Sequence, residues 1–222
     1  MTENMNETWK KIPGLETYYE ISNLRRIKRL EREVTTKSGT TRKYKEKIIY
    51  SGQGNDQIRL VYDGKTESYS LNSLLYQTFP ELFEIENLPG EIWKDCVGYE
   101  GWYQVSNLGR IKSLPREISY QNGKKVFRIG KLIGQFLDRK DKEAGYLKAN
   151  LCKEGFSKQE FVHRLVALAH VPNPHPDKFN IPNHLDEDKQ NNKAENLEWT
   201  DTRGNILYSK ERARLRNLQQ NP

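Results

Sequence analysis

The sequence predicts an α+β protein made of two tandem sheet-plus-helix units. Short runs rich in β-branched and aromatic residues alternate with turn signals, and apolar-periodic helices follow them at residues 70–79 and 161–171. These runs occur twice, as an internal repeat. After the second helix, an extended run at 180–185 precedes a polar loop, a short strand at 195–200 and a helix from residue 201 onward.

The internal repeat aligns residues 7–34 with residues 91–118 without gaps, at an offset of 84, and about half of the positions are identical. After an insertion in the second copy, the two helices align at an offset of 92, so that Leu71 takes the position of His163. The first copy ends after its helix. We therefore predict a duplication in which only the second copy continues into the C-terminal region.

Each copy also contains predicted strands between its first part and its helix. Ser38-Gly39 and Asn122-Gly123 are hairpin turn signals within basic segments. The predicted hairpins lie at residues 35–47 and 119–131, and further strands lie at 57–62 and 146–151. The acidic, proline-containing stretch at 80–90 is either a linker between the copies or a segment that packs on one of them.

The composition favours an anionic partner and argues against a membrane protein. The formal net charge is +7 and the sequence pI is about 9.2, although lysine and arginine are also common on ordinary solvated surfaces. The mean hydropathy is −0.93 and no long apolar run is present. We therefore expect neither a membrane span nor a signal peptide, and no membrane partner.

The two cysteines, Cys96 and Cys152, form no CxxC pair. This pattern excludes a zinc-ribbon site and predicts a protein without structural disulfides in a reducing compartment, which we expect to be the cytoplasm of a bacterial or phage-infected cell.

The C-terminal region concentrates polar residues that suit phosphodiester hydrolysis. His184 is flanked by Asn183 and Asp186, and Asn196 and Asn205 follow. A histidine is largely neutral above about pH 6.5 and can serve as a base. Amide and carboxylate oxygens are hard ligands that suit a divalent cation. The spacing therefore predicts a metal-dependent nuclease site.

The same region resembles a known family. Val162-His163-Arg164-Leu165-Val166, Pro172-Asn173-Pro174, Asn183-His184-Leu185-Asp186, Asn196-Leu197-Glu198-Trp199 and Asn205 occur in the order typical of the HNH homing endonucleases of phages and mobile introns. The two repeat copies resemble the nuclease-associated modular DNA-binding (NUMOD-type) motif that accompanies those enzymes. The resemblance implies that the second unit contains a ββα-metal (HNH) nuclease core.

The resemblance also implies roles for individual residues. His184 is the expected general base, and Asn196 is expected to hold its imidazole through the other ring nitrogen. Asn183 and Asn205 are expected to bind one Mg²⁺ or Mn²⁺ ion together with the scissile phosphate. Many related nucleases carry aspartate where this chain has Asn183, which lowers the charge offered to the metal. Asp186 is expected either to ligate the metal or to hydrogen-bond to the site.

This interpretation divides the sequence into four segments. They are a first DNA-binding motif copy with a degenerate, non-catalytic half at 1–84, a second motif copy at 85–125, an HNH nuclease domain at 126–212 and a basic tail at 213–222.

The basic residues of both copies and of the nuclease domain are the predicted DNA contacts. In the two motif copies, alternation along a strand places the charges on one face. The alternative is a solvated strand face that happens to be basic. His163 has two readings, a packed residue or a phosphate contact. The predicted set is Arg25, Arg26, Lys28, Arg29, Arg110, Lys112, Lys124, Lys125, Arg128, His163, Arg164 and Arg203.

The expected function is site-specific cleavage of double-stranded DNA by a homing endonuclease. One site per chain predicts a nick, and a double-strand break would need a homodimer or two successive nicks. Two alternatives remain open: a DNA-binding regulator that does not cleave, and a nuclease that acts on RNA or on DNA without sequence preference.

Overall fold

The structure is a computed structural model that describes residues 6–35, 38–50, 56–120, 123, 125–138, 145–204, 206, 207, 210, 211 and 214. Within this part of the chain, strand outweighs helix, and each copy of the repeat contains eight described strands followed by one helix. The first copy contains β1 (Trp9–Lys11), β2 (Tyr19–Ser22), β3 (Ile27–Arg29), β4 (Arg32–Thr35), β5 (Thr41–Tyr44), β6 (Lys47–Tyr50), β7 (Gln57–Tyr62), β8 (Lys65–Ser70) and helix α1 (Leu71–Thr78).

The second copy contains β9 (Trp93–Asp95), β10 (Tyr103–Ser106), β11 (Ile111–Ser113), β12 (Arg116–Ser119), β13 (Lys125–Arg128), β14 (Gln135–Leu137), β15 (Leu147–Lys153), β16 (Phe156–Phe161) and helix α2 (Val162–His170). Strands β17 (Ile181–His184) and β18 (Leu197–Thr200) follow, and 3-10 turns lie at Pro80–Phe83 and Ala194–Asn196. Described residues from 202 to 214 are helical, and the Asp201 carboxylate accepts the Gly204 N–H, as expected of a helix N-cap.

The strands pair antiparallel throughout the described residues. Strands β1, β2, β3 and β6 form one sheet in that order, and β9, β10 and β11 form its counterpart in the second copy. Strand β15 pairs with β14 on one side and β16 on the other. The remaining pairs are the two-stranded ribbons β4–β5, β7–β8, β12–β13 and β17–β18.

The chain divides into two compact units. The first unit comprises Met1–Ile85 and Pro115–Gly130, and the second comprises Glu86–Leu114 and Lys131–Pro222. This grouping differs from the predicted boundaries at 125 and 126, because the β12–β13 ribbon belongs to the first unit. Within that unit the rings of Phe127 and Tyr76 lie 5.5 Å apart, which explains why the ribbon groups with α1.

Each unit has its own apolar core. In the first, Ile21 and Ile27 alternate with polar neighbours along β2 and β3 and face Leu60 and the buried side of α1, all fully buried or nearly so. In the second, Val105, Ile111, Leu151, Val162 and Val166 form the same arrangement. No helix in the described part of the chain is long and apolar enough to cross a membrane. Cys96 is buried, Cys152 is exposed, and both are free thiols.

The two copies share a polar link at the edge of the core. In the first, the Tyr19 hydroxyl donates to Val61 O at 2.8 Å and accepts from Val61 N at 3.1 Å. In the second, the Tyr103 hydroxyl donates to Cys152 O at 3.1 Å and accepts from Cys152 N at 2.9 Å. A tyrosine of β2 or β10 thus bonds to the backbone of the first strand, β7 or β15, of the hairpin that leads into the helix.

These hydrogen bonds correct the predicted alignment of the helices. Val61 corresponds to Cys152, an offset of 91, and strands β8 and β16 follow the same offset. With this offset Asn72, and not Leu71, occupies the position of His163. The predicted offset of 92 fits only the C-terminal ends, because α2 is one residue longer than α1.

We predict that Tyr103→Phe lowers the free energy of unfolding by about 1 kcal/mol, because the Cys152 N–H and C=O lose a part-buried hydrogen-bond partner. Tyr44→Phe is the control, since the ring of Tyr44 lies beside arginines but its hydroxyl bonds to no described residue. Denaturant unfolding checks both variants, and equal stability of Tyr103→Phe and wild type would refute the role of the hydroxyl.

Candidate active site

His184 is the last residue of β17, and its ring lies inside the second unit. Side chains alternate along this strand, so that Pro182 and His184 are buried while Asn183 is half-buried. His184 is 5% exposed. Its ring centroid lies 5.9 Å from that of Tyr146 and 5.2 Å from that of His163. The imidazole is therefore held between the β17–β18 ribbon and the aromatic residues near the start of α2.

One hydrogen bond fixes the proton on this ring. Nε2 of His184 lies 3.1 Å from Oδ1 of Asn192, and Nδ2 of Asn192 donates to Gln190 O at 3.2 Å. Because the amide oxygen can only accept, Nε2 must carry the proton. The other nitrogen, Nδ1, bonds to no described residue and keeps some contact with solvent. The ring thus keeps an unprotonated nitrogen that is not paired with another described protein group.

Asn192, and not Asn196, is the residue that holds the imidazole, which corrects the predicted role of Asn196. The Asn196 side chain turns into the loop instead. Its Oδ1 accepts the Asp186 N–H at 3.1 Å, and its Nδ2 donates to Asp186 Oδ1 at 2.8 Å and to Asn191 O at 2.9 Å. Asn196 ends the 3-10 turn before β18, so its amide lies under the loop rather than beside the ring. Its role is to fix the loop that carries Asn192.

Asp186 belongs to the same loop network. Its carboxylate accepts the Asp188 N–H at 2.9 Å and the Asn191 amide at 2.6 Å, besides the Asn196 amide. The hydrogen bond from Asn191 is the largest cause that holds the pKa of Asp186 below its usual range, and the Asn196 amide and the Asp188 N–H add to it. Both oxygens are engaged within the loop, so the geometry favours hydrogen bonding over direct ligation of a metal.

Asn183 has a neighbour that the sequence interpretation did not assign. Glu198 lies opposite it in the β17–β18 ladder, and Asn183 Nδ2 donates to Glu198 Oε1 at 3.0 Å. No described residue donates to Oδ1 of Asn183. The signal was present in the sequence, because an antiparallel pairing of the two predicted strands places these side chains on one face. Asn205, the other predicted ligand, lies outside the described residues.

The donor chemistry of this pair fits Mg²⁺ or Mn²⁺. Among the described residues, no three His, Cys, Asp or Glu side chains gather in a way that could hold a metal by themselves. Mg²⁺, however, usually binds through one or two carboxylates together with waters and substrate phosphates. The Glu198 carboxylate and the Asn183 amide oxygen would be the protein ligands in such a site.

His163 is buried rather than exposed to a phosphate, which corrects its place among the DNA contacts and fits the packed reading. It is 8% exposed, and its ring lies 4.8 Å from that of Tyr146 and 5.5 Å from that of Phe161. Its Nδ1 is buried without a hydrogen-bond partner. Burial, together with the nearby His184 and Arg164, lowers the pKa of His163 to about 3, so the ring is neutral at physiological pH.

In the first motif copy, the predicted DNA-binding cations fold onto their own tryptophan. Arg26 lies 5.5 Å and Lys28 4.9 Å from the centre of the Trp9 ring. Arg26 also pairs with Glu7, with Nε 2.8 Å from Oε1, and Lys28 pairs with Glu20 at 2.9 Å. The hydrogen bond to Glu20 raises the pKa of Lys28. These charges are partly neutralised within the protein.

The second copy repeats this arrangement. Arg110 lies 5.6 Å and Lys112 4.3 Å from the centre of the Trp93 ring. Arg110 Nη1 lies 3.2 Å from the carboxylate of Glu91, whose side chain has no exposure to solvent. Burial is the main cause that lowers the pKa of Lys112. This strand face therefore matches neither predicted alternative, a plain phosphate-binding face or a solvated one. Trp93 and Glu91 contact its cations.

The other predicted DNA contacts divide by exposure. Arg25 and Arg29 are half-buried, with Arg25 3.5 Å from Asp56 and Arg29 donating to Lys45 O at 3.1 Å. Lys124 lies outside the described residues. The exposed cations are Lys125, Arg128, Arg164 and Arg203.

Comparison with known proteins gives matches over both copies of the repeat. Residues 7–56 and 91–152 match the NUMOD4 motif family. Relatives include the uncharacterised HNH endonuclease L247 of Acanthamoeba polyphaga mimivirus, at 35% identity over 121 residues (54% of this chain and 26% of the relative), and L245 of the same virus, at 38% over 117 residues (53% and 29%). The DNA endonuclease I-HmuI of Bacillus phage SP01 is 32% identical over 123 residues, covering 55% of this chain and 60% of that protein.

A solved structure described as DNA binding and cleavage by the HNH homing endonuclease I-HmuI matches with a TM-score of 0.43 and 32% identity, over 55% of this chain and 59% of that chain. The chain therefore spans between about a quarter and three fifths of the length of these relatives. The resemblance to mobile HNH nucleases and their modular DNA-binding motif is confirmed.

We predict that His163→Phe makes the protein less sensitive to acid. Because the pKa of His163 is lowered from about 6.5 when unfolded to about 3 when folded, the unfolded state binds the extra proton as pH falls below 6.5. Wild type should lose about 2 kcal/mol of stability from this residue between pH 7 and pH 5. Unfolding of wild type, His163→Phe and the exposed-site control His175→Gln at both pH values measures the difference. An equal acid loss in all three would contradict a neutral, buried His163.

We also predict that Arg110→Ala lowers the free energy of unfolding by roughly 3 kcal/mol, because it strands the buried Glu91 carboxylate. Arg164→Ala, at an exposed site in the same unit, should cost far less. Adding Glu91→Gln to Arg110→Ala should restore part of the loss, and denaturant unfolding measures all three. If Arg110→Ala were as stable as Arg164→Ala, Arg110 would be a surface contact rather than a structural partner.

Proposed function

We propose, from the premise that this chain belongs to the NUMOD4 motif family, that the protein is an HNH-type endonuclease that hydrolyses a phosphodiester bond of double-stranded DNA. The proposal includes site-specific cleavage by a homing endonuclease, one Mg²⁺ or Mn²⁺ ion and a cytoplasmic setting. The observation that carries it is the arrangement around β17. His184 is held by Asn192 with no partner among the described residues at Nδ1, and the residue before it in the same strand, Asn183, pairs with Glu198 across the β17–β18 ladder.

The chain's own residues account for the proton transfer. Nδ1 of His184 takes a proton from the attacking water, and the Asn192 amide oxygen stabilises the imidazolium by accepting from Nε2. A base positioned in this way contributes about 100- to 10,000-fold to the rate. The neutral, buried His163 beside the ring adds no competing positive charge at working pH.

Asn183 and Glu198 would hold the metal, with Asn205 as a further expected ligand. When bound, the ion supplies stabilisation of the charge that develops at phosphorus and on the departing 3′ oxygen. The Asp186, Asn191 and Asn196 network keeps the intervening loop in one conformation, so that the base and the ligands keep their separation.

DNA binding rests on the basic balance of the chain and on the two motif copies. The net charge of +7 favours a polyanion, and cations of both copies lie over tryptophans at strand faces. Binding that displaces counterions should weaken steeply with salt. Homodimerisation or two successive nicks would be needed for a double-strand break.

A binder that does not cleave is the second candidate. Two observations favour it: the neutral amide of Asn183 offers little charge to a metal, and His184 is only 5% exposed. A nuclease that cuts RNA, or DNA without sequence preference, would instead produce scattered cuts in pooled substrates.

We predict that wild-type protein with Mg²⁺ converts supercoiled plasmid carrying its target to nicked plasmid, and that His184→Ala slows this conversion by about 100- to 10,000-fold. His175→Ala, at an exposed histidine outside the site, is the matched control. Gel analysis of the plasmid forms gives the rates, and fragments of host genomic DNA supply the target. Equal inactivity of wild type and His184→Ala on DNA that both bind would favour the non-cleaving binder.

We predict that Asn183→Asp lowers the Mg²⁺ concentration needed for half-maximal nicking by roughly 10-fold, because metal affinity rises with the charge of its ligands. Glu198→Gln should raise it by a similar factor. Glu195→Gln removes an exposed carboxylate nearby in sequence and should leave it unchanged. A Mg²⁺ titration that is identical for all four proteins would place the metal elsewhere.

A further inference from the structure

The loop that holds the catalytic histidine rests on a turn of the second motif copy. Gly109 of this turn is buried and has a φ of +86°, a conformation that L side chains rarely adopt. A Cβ placed on Gly109 would lie 3.2 Å from Cβ of Asn192 and 3.2 Å from its carbonyl oxygen. Asn192 is the residue whose amide fixes the proton on His184. The closeness of this approach therefore depends on the missing side chain of Gly109.

A second contact lies two residues further along the loop. Ala194 N donates to the carbonyl oxygen of Asn107 at 2.8 Å, and the carbonyl of Gly109 accepts the Gln135 side-chain amide at 2.7 Å. Asn107 is itself anchored, because its Nδ2 donates to Gly90 O at 3.1 Å. The turn thus contacts the loop on both sides of Lys193, at Asn192 and at Ala194.

We propose that Gly109 is a positioning residue for catalysis: the turn of the second motif copy seats Asn192 and thereby sets the proton and the orientation of His184. This inference rests on the proposed nuclease function for its catalytic meaning, but the seating itself can be measured without catalysis. It makes the second motif copy part of the catalytic apparatus as well as a DNA-binding element.

The first copy contains the same turn, but among its described residues no counterpart of the loop that carries Asn192 contacts it. Arg25 occupies the position of Gly109 at the repeat offset of 84, and its φ is also positive, at +63°. Its guanidinium pairs with Asp56 of the first unit at 3.5 Å. The fold of the turn therefore tolerates a side chain where no nuclease loop approaches. Glycine at position 109 is explained by the loop and not by the turn alone.

The expected effect of filling this space follows from the distances. A contact of 3.2 Å to a Cβ and to a carbonyl oxygen forces Asn192 to move by a few tenths of an ångström or the turn to open. A misplacement of about 1 Å can reduce turnover by about 100-fold, so a shift of this smaller size should reduce it by roughly 10-fold. DNA affinity should change little, because the substitution adds no charge and removes no contact.

The test compares Gly109→Ala with Gly155→Ala. Gly155 has the same φ of +86° but has open space around its Cβ position, so it reproduces the backbone strain without the collision. Asn192→Ala removes the hydrogen bond to His184 directly and serves as the benchmark. Ala194→Pro removes the other contact by deleting the N–H, and the preceding residue, Lys193, already has the extended conformation that precedes proline (φ −66°, ψ 140°).

Three quantities are measured for each folded variant: the turnover rate on plasmid, the dissociation constant for DNA, and the ¹⁵N signals of the His184 ring at about pH 8. Gly109→Ala should lower turnover by roughly 10-fold with a dissociation constant within about twofold of wild type. The His184 ring signals of Gly109→Ala and Ala194→Pro should move towards those of Asn192→Ala, and those of Gly155→Ala should match wild type.

The proposal is overturned if the His184 ring signals of Gly109→Ala match those of Gly155→Ala, or if the two variants lose turnover equally. If the wild type does not cleave DNA, the proposed nuclease function is refuted but this inference is not. The ring signals still show whether Gly109 and Ala194 set the orientation of His184. Should Gly109→Ala fail to fold, Ala194→Pro decides the question by the same ring signals.

Discussion

The hydrogen bond between His184 Nε2 and Asn192 Oδ1 is the constraint on which the rest of the site depends. An imidazole can act as a base only through its unprotonated nitrogen, and this bond decides which nitrogen that is. Everything around it keeps the bond in place: Asp186 and Asn196 fix the loop, and the Tyr146 and His163 rings limit movement of the imidazole. The surrounding fold therefore holds the His184 imidazole in one orientation, which the proposed role of base requires.

The two copies of the repeat share most of their scaffold, although only the second continues into the candidate site. Both copies use a tyrosine hydroxyl to join β2 or β10 to the first strand of the hairpin before the helix. In the first copy, Asp56 accepts from the Ser70 hydroxyl and from the Asn72 N–H, so that a polar network closes the start of α1. In the second, Phe161 and His163 occupy the positions of Ser70 and Asn72, and aromatic packing replaces that network. The same scaffold is therefore compatible with a polar network at the start of the helix in the first copy and with aromatic packing there in the second.

Much of this arrangement follows from the sequence because local rules govern it. Strand β7 begins and ends where the alternation predicts, and both helices lie within a residue of their predicted bounds. The residue that holds His184 was not predictable in the same way, because Asn191, Asn192 and Asn196 are chemically alike and only the path of the loop distinguishes them. The pairing of Arg110 with a buried glutamate was likewise hidden, since it depends on how residues before β9 fold back over the strand.

The central claim is that the protein fixes His184 as the tautomer with a proton on Nε2 and a lone pair on Nδ1. Long-range ¹H–¹⁵N correlation of the histidine rings in the wild-type protein at about pH 8 measures this directly, with Asn192→Ala used to assign the signal. We predict one dominant form, with Nε2 protonated and Nδ1 bare. A ring protonated on Nδ1, or an even exchange between the two tautomers, would contradict the account.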